Sequence, residues 1–135
     1  MSQYAYVYDL SPQSVNVESA ITFDSNGPMS SGISHPPGAA GITVADAGIY
    51  DVQFSVSAVQ ANQFAVAVNG VVVPSTIYGS GAGLQQNVGQ AIIAVPALGV
   101  LTIVNHTSAA AVTLQVAAGG TQADTNASVV IEQVG

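Results

Sequence analysis

Two histidines, seven carboxylates and many serines and threonines are the groups from which this 135-residue chain would have to build a reactive site, since it has no cysteine, lysine or arginine. A serine hydrolase needs a serine held against an imidazole that a carboxylate orients. Those residue types are present, but no Gly-x-Ser-x-Gly elbow occurs, and only His35 and His106 could serve as base. His35 precedes Pro36-Pro37, where the rings fix φ and stiffen a turn, and His106 falls in a turn after an apolar run. Both read as hydrogen-bonding structural histidines, so the sequence assigns no catalytic residue.

Other motifs divide in the same way between chemistry and architecture. Asp24-Ser25-Asn26-Gly27 has the oxygen spacing that opens a calcium loop, but the completing acid is missing, and the run reads as a turn with Asn-Gly at its tip. Asp46, Asp51 or Asp124 would hold a cation only if copies of the chain converged, so no metal and no cofactor are assigned. Gly79-Ser80-Gly81-Ala82-Gly83 lacks the lysine and the following helix of a phosphate loop and reads as a strand connector. Asn105-His106-Thr107 and Asn126-Ala127-Ser128 match the N-glycosylation acceptor pattern and read as turn and strand chemistry. One cluster suits a ligand: Tyr78 as an aromatic platform for a sugar, with Gln85, Gln86 and Asn87 supplying amides.

The elements that would carry these residues are strands. Val occurs 21 times and Ile 9 times against 5 Leu, a bias toward side chains that fit a pleated sheet and lose rotamer freedom in a helix. Val15, Val17, Ser19, Ile21 and Phe23 share one face of an alternating run, and so do Tyr50, Val52, Phe54, Val56 and Ala58. Asn69-Gly70 sits between Gln63-Phe64-Ala65-Val66-Ala67-Val68 and Val71-Val72-Val73, the arrangement of a hairpin closed by a two-residue type I′ turn. Residues 42–44, 85–95, 100–105, 111–117 and 127–133 complete a set of roughly nine or ten strands. Residues 25–41, rich in Gly, Pro and Ser, form an irregular connection with at most a short strand. The chain is expected to be a single all-β domain over residues 1–135, a sandwich or jelly roll, with closure into a barrel as the alternative.

Charge narrows the partners. All seven charged side chains are acidic, giving a formal net charge of −7 with 5% charged residues overall. Without a cation the chain has no counterion-releasing contact to offer phosphates and no polybasic route to anionic lipid, which argues against nucleic acid and membrane partners. The most apolar stretch, residues 91–104, is too short to span a bilayer as a helix and is interrupted by Pro96 and Gly99. The opening residues have neither the basic nor the apolar region of a secretory signal. The chain is therefore expected to be made without such a signal, or to be a domain cut from a longer protein. Apolar strands without Lys guards leave edges that neighbouring chains are expected to cover.

Several segments together resemble the C-terminal domain of BclA-type collagen-like glycoproteins of bacterial spores. They are Ala47-Gly48-Ile49-Tyr50-Asp51-Val52-Gln53-Phe54-Ser55-Val56-Ser57, Asn62-Gln63-Phe64-Ala65-Val66, Val68-Asn69-Gly70-Val71-Val72-Val73-Pro74 and Tyr78-Gly79-Ser80-Gly81-Ala82-Gly83. Asn105-His106-Thr107-Ser108-Ala109-Ala110-Ala111-Val112-Thr113-Leu114, Ala118-Gly119-Gly120-Thr121-Gln122 and Asn126-Ala127-Ser128-Val129 extend the match over residues 50–129. The resemblance implies a jelly roll of about ten strands, of the tumour necrosis factor and complement globular type, assembled as a homotrimer. It also implies a place on the spore surface, the exosporium, at the tip of a collagen-like stalk, although this chain contains no Gly-X-Y tract.

The function expected on these grounds is a non-enzymatic structural module for trimerisation and surface display, with an adhesive role open. Its partners are other copies of itself, and in addition other exosporium proteins or host surface molecules. Tyr50, Phe54, Phe64 and Tyr78 are expected to divide between the core of one subunit and the trimer seam. A carbohydrate- or receptor-binding module built on Tyr78, Gln85, Gln86 and Asn87 is the alternative.

Overall fold

The strictest alternation in the chain becomes one of its two longest strands. In the computed structural model, which describes residues 2–135, Tyr50, Val52, Phe54 and Val56 point inward from strand β6 (Gly48–Ser57), while Ile49, Asp51, Gln53, Ser55 and Ser57 point out. Thirteen strands are formed among the described residues, six of them only two or three residues long, so the count exceeds the expected ten without changing the architecture.

In chain order the others are β1 (Tyr4–Asp9), β2 (Ser14–Val15), β3 (Ser25–Met29), β4 (Ile33–Ser34), β5 (Ile42–Val44), β7 (Asn62–Val68), β8 (Val71–Val72), β9 (Tyr78–Ser80), β10 (Gln86–Val95), β11 (Gly99–Asn105), β12 (Val112–Thr113) and β13 (Ala127–Gln133). One sheet has the order β10-β6-β13-β1-β3 and the other β4-β5-β11-β7-β8, with β9 also on β7 and a small β12-β2 pair to the side. All pairings are antiparallel. The two large sheets face each other across one apolar core, where Val7, Val52, Phe54, Val129 and Ile131 of the first meet Ile42, Val44, Phe64, Val66, Leu101 and Ile103 of the second. This is the jelly roll expected from the alternation and the turn residues.

The Asn69-Gly70 turn forms as expected, with both residues at positive φ (50° and 80°) between β7 and β8. The run at residues 15–23 does not. Val15, Ile21 and Phe23 are buried, but Glu18 enters the left-handed region (φ 62°) and the chain turns at the middle of the run. The far half then takes up the side of β11 that the short β5 leaves free, with Ile21 N–H donating to Ile103 O at 2.9 Å and Asn105 N–H to Ser19 O at 2.9 Å. Residues 111–117 likewise shrink to β12 and a bridge from Leu114 to Ala58. Residues 25–41 hold two strands, β3 and β4, where at most one was expected. β1 is an addition that the alternation of Tyr4, Tyr6 and Tyr8 with Ala5 and Val7 could have indicated.

Candidate functional site

The groups that looked capable of chemistry are taken up by the fold. His35 is buried, with Nδ1 2.6 Å from Asn26 Oδ1, Nε2 2.7 Å from Ala39 O, and its ring edge-on to Phe23. It pins the loop after β4 to β3. His106 is half-buried, and its Nδ1 meets Glu18 Oε1 at 2.7 Å, while Thr107 N–H donates to Glu18 Oε2 at 2.9 Å. These contacts, the His106 bond foremost, hold the Glu18 carboxyl below the usual carboxylate range. Ser108, the serine nearest in sequence, accepts instead from Gln63 N–H at 3.0 Å. The Glu18–His106 pair spans 88 residues and left no local mark in the sequence.

The other motifs are similarly occupied. Asp24 Oδ1 accepts from Leu10 N–H and Ser25 Oγ, while the Asn26 amide is spent on His35, so the two do not converge on a cation. Among the described residues no three His, Asp or Glu side chains gather as a metal site. Both glycosylation-pattern asparagines are fully buried: Asn105 Nδ2 donates to Val15 O at 2.9 Å and Asn126 Nδ2 to Ser11 O at 2.9 Å. An amide nitrogen committed in this way is not available to a sugar in the folded chain.

Of the four residues proposed as a sugar site, Gln86 and Asn87 lie on opposite faces of β10, Tyr78 is on β9 and Gln85 just precedes β10. Gln86 points outward, its amide bonded to Ser55 Oγ (2.6 Å) and Ser57 Oγ (2.7 Å). Asn87 points inward and is buried, with Nδ2 donating to Asn62 Oδ1 and Tyr78 O. Tyr78 stands edge-on to Phe54 at 6.0 Å and its hydroxyl donates to Gln90 O at 2.8 Å. Gln85 is exposed at the start of the strand. The period of two therefore separates Gln86 from Asn87 and Tyr78. A shallow groove of about 260 Å³ does open nearby, lined by Asn62, Gln63, Ser80, Thr107 and Ser108. Of the four aromatic residues proposed for core or seam, Tyr50, Phe54 and Phe64 lie in the core of the single chain and Tyr78 is half-buried at its margin.

What the fold leaves uncovered is the outer face of the β10-β6-β13-β1-β3 sheet. Register places its side chains in rows: Val88, Ser55, Ser128 and Tyr8; then Gln90, Gln53, Val130 and Tyr6; then Ile92, Asp51, Glu132 and Tyr4. Tyr6 and Tyr8 stack at 5.0 Å, and Tyr6 lies across Gly27 of β3, where a Cβ would come within 2.7 Å of its ring. Ile92 is 68% exposed and Val88 58%. A groove of about 370 Å³ runs between Tyr4, Tyr6, Pro28, Val130 and Glu132. No Lys or Arg guards this face.

No family model matches the sequence, and no curated protein matches it. Among solved structures the chain is similar to the globular domain of a zebrafish complement 1qA protein, with 9% identity and a TM-score of 0.69 over 98% of this chain and 95% of that one. It is similar to murine APRIL at pH 8.0, with 9% identity and a TM-score of 0.67 over 99% of this chain and all of that one. A third likeness is to the Eiger TNF from S. frugiperda, with 8% identity and a TM-score of 0.69 over the whole of this chain and 92% of that one. At such identities the likeness establishes the fold, an antiparallel jelly roll of the TNF and complement 1q type.

Proposed function

We propose that this TNF- and complement-type jelly roll is a non-enzymatic structural module that assembles as a homotrimer through the outer face of its five-stranded sheet. The observation that carries the reading is that face: two valines, an isoleucine and three tyrosines set among amides and hydroxyls, with Asp51 and Glu132 confined to one end row, no cationic guard, and no other described element over it. Five strands at about 4.8 Å spacing, each contributing about seven residues at about 3.4 Å, give a plane of roughly 600 Å² before side-chain relief. That approaches the roughly 800 Å² per partner of a stable complex. The sequence resemblance to BclA-type domains supports the finer part of the proposal, display on the spore exosporium, where further exosporium proteins or host surface molecules would be its partners.

Light scattering coupled to gel filtration tests the assembly. A mass near three chains of 13.4 kDa is expected, and Val130→Lys, which sets an unpaired ammonium at the centre of the face, should reduce it to one chain while leaving the far-ultraviolet spectrum unchanged. A parent protein that stays a folded monomer at millimolar concentration overturns the reading. Antibody labelling of intact spores tests the location. The neutral groove at Gln63, Ser80, Thr107 and Ser108 favours a second reading, a site for a hydroxyl-rich ligand such as a saccharide, which a glycan array would show or remove.

A further inference from the structure

Among the described residues, the third row of the assembly face contains its only charged side chains. Asp51 of β6 lies directly opposite Glu132 of β13, Ile92 of β10 flanks Asp51, and Tyr4 of β1 flanks Glu132. Among the described residues, the titratable side chains that face the pair are thus each other and the Tyr4 phenol. β10 presents only Ile92 and its neighbours Gln90 and Ala94, and the adjacent positions on β6 and β13 are Ile49, Gln53 and Val130. Gln53 Nε2 stands 3.5 Å from Asp51 Oδ2, a weak contact at the limit of hydrogen bonding. Both histidines are engaged elsewhere, with Asn26 and with Glu18.

In a single chain this arrangement costs little, because Glu132 is exposed and Asp51 half-exposed, and water screens them. Covering the face removes that water. Side by side on one face, two carboxylates resist joint ionisation once desolvated. An identical copy has no Lys or Arg to supply the missing countercharge, and among the described residues both histidines are already engaged. A proton can. It neutralises one carboxyl and turns it into a hydrogen-bond donor to its neighbour, as when two carboxyl groups share a site.

Resting on the assembly reading above, we infer that trimerisation is coupled to proton uptake at the Asp51–Glu132 pair, so that the module assembles more tightly as the medium acidifies from neutral toward pH 5. The sign follows from linkage: the state that binds more protons gains as pH falls. If each chain takes up one proton, the trimerisation constant rises about a thousandfold per pH unit and the dissociation midpoint, which follows its square root, falls about thirtyfold per unit. Partial uptake gives a smaller slope of the same sign.

The test is sedimentation equilibrium of the full chain at pH 7, 6 and 5 in high salt, which screens the general repulsion of a strongly acidic protein. The midpoint should fall at least about tenfold from pH 7 to pH 5. The double variant Asp51→Asn, Glu132→Gln should trimerise at pH 7 as tightly as the parent does at pH 5, with less than about twofold dependence on pH. Asp46→Asn, Asp124→Asn removes the same charge off the face and should keep the parent's pH response. A parent trimer whose midpoint ignores pH, or a face variant that keeps the response, overturns the inference and leaves the assembly reading intact. Equal loss of response in both double variants overturns it too. A protein that is monomeric at every pH overturns both.

Discussion

Gly89 occupies the point where β10 passes under the Phe54 ring, and replacing it with Ala measures how rigidly the core margin is built. Gly89 and Phe54 are cross-strand partners on the inner face, and a Cβ at Gly89 would overlap the end of the Phe54 ring and come within 2.7 Å of Tyr78 Cδ1. Two effects favour the substitution: about 0.8 kcal/mol for the buried methyl, and about 0.4–1 kcal/mol from the reduced freedom of the unfolded chain. Against them stands overpacking, about 1–3 kcal/mol where the surroundings cannot yield. Here they are held, since Tyr78 stands edge-on to Phe54 with its hydroxyl anchored on Gln90 O at 2.8 Å. The strain therefore falls at the upper end of its range, and a net loss of about 1–2 kcal/mol is expected. Phe54→Ala should cost about 3–5 kcal/mol as a buried aromatic truncation. In the double variant the new methyl enters space the ring has left, so the combined cost should fall short of the sum by about 1–2 kcal/mol. Urea unfolding followed by far-ultraviolet dichroism, at one fixed protein concentration because association shifts the midpoint, gives all three values. Additive costs, or a Gly89→Ala protein as stable as the parent, would refute this account of the contact.

Two further outcomes follow from single side chains. Because hydrogen bonds from His106 and Thr107 lower the Glu18 carboxyl, its contribution is present above the ordinary carboxylate range and is lost as pH falls through the lowered value. The Thr107 amide resonance should accordingly titrate below that range, and Glu18→Gln should abolish the response; a midpoint at or above the ordinary value counts against the pairing. Asn105→Ala removes the buried donor to Val15 O and should destabilise by about 0.5–1.5 kcal/mol as a lost hydrogen bond, read as a lower urea midpoint with an unchanged slope.

The sequence was most legible where side chains alternate without interruption and a turn has one dominant solution. β6 lies within two residues of the window its alternation marked, β10 and β13 lie within one of the expected windows 85–95 and 127–133, and Asn69-Gly70 closes its hairpin because those residues tolerate positive φ. It was least legible where burial and strand formation part company. Ile21 and Phe23 keep the inward spacing of a strand although Glu18 has already reversed the chain, because Ile21 bonds to Ile103 of β11, more than 80 residues away, and Phe23 bonds to Ala39 beside His35. The ligand cluster fared similarly, since proximity in sequence puts neighbours such as Gln86 and Asn87 on opposite faces. The outer face of the five-stranded sheet was implied only by the absence of cations. Its rows join residues from both ends of the chain, and only the register brings Tyr4, Asp51 and Glu132 together.

β13 lies between β6 and β1, so the first long strand of the chain finds its partner in the last one. A ribosome delivers them in the wrong order for early completion. While β1 waits, the emerging polypeptide can close the β6–β10 and β7–β11 pairings, yet the five-stranded sheet stays split until the final strand is released. Vectorial synthesis thus leaves this sheet open until β13 has emerged from the ribosome, and any association through it is postponed until then.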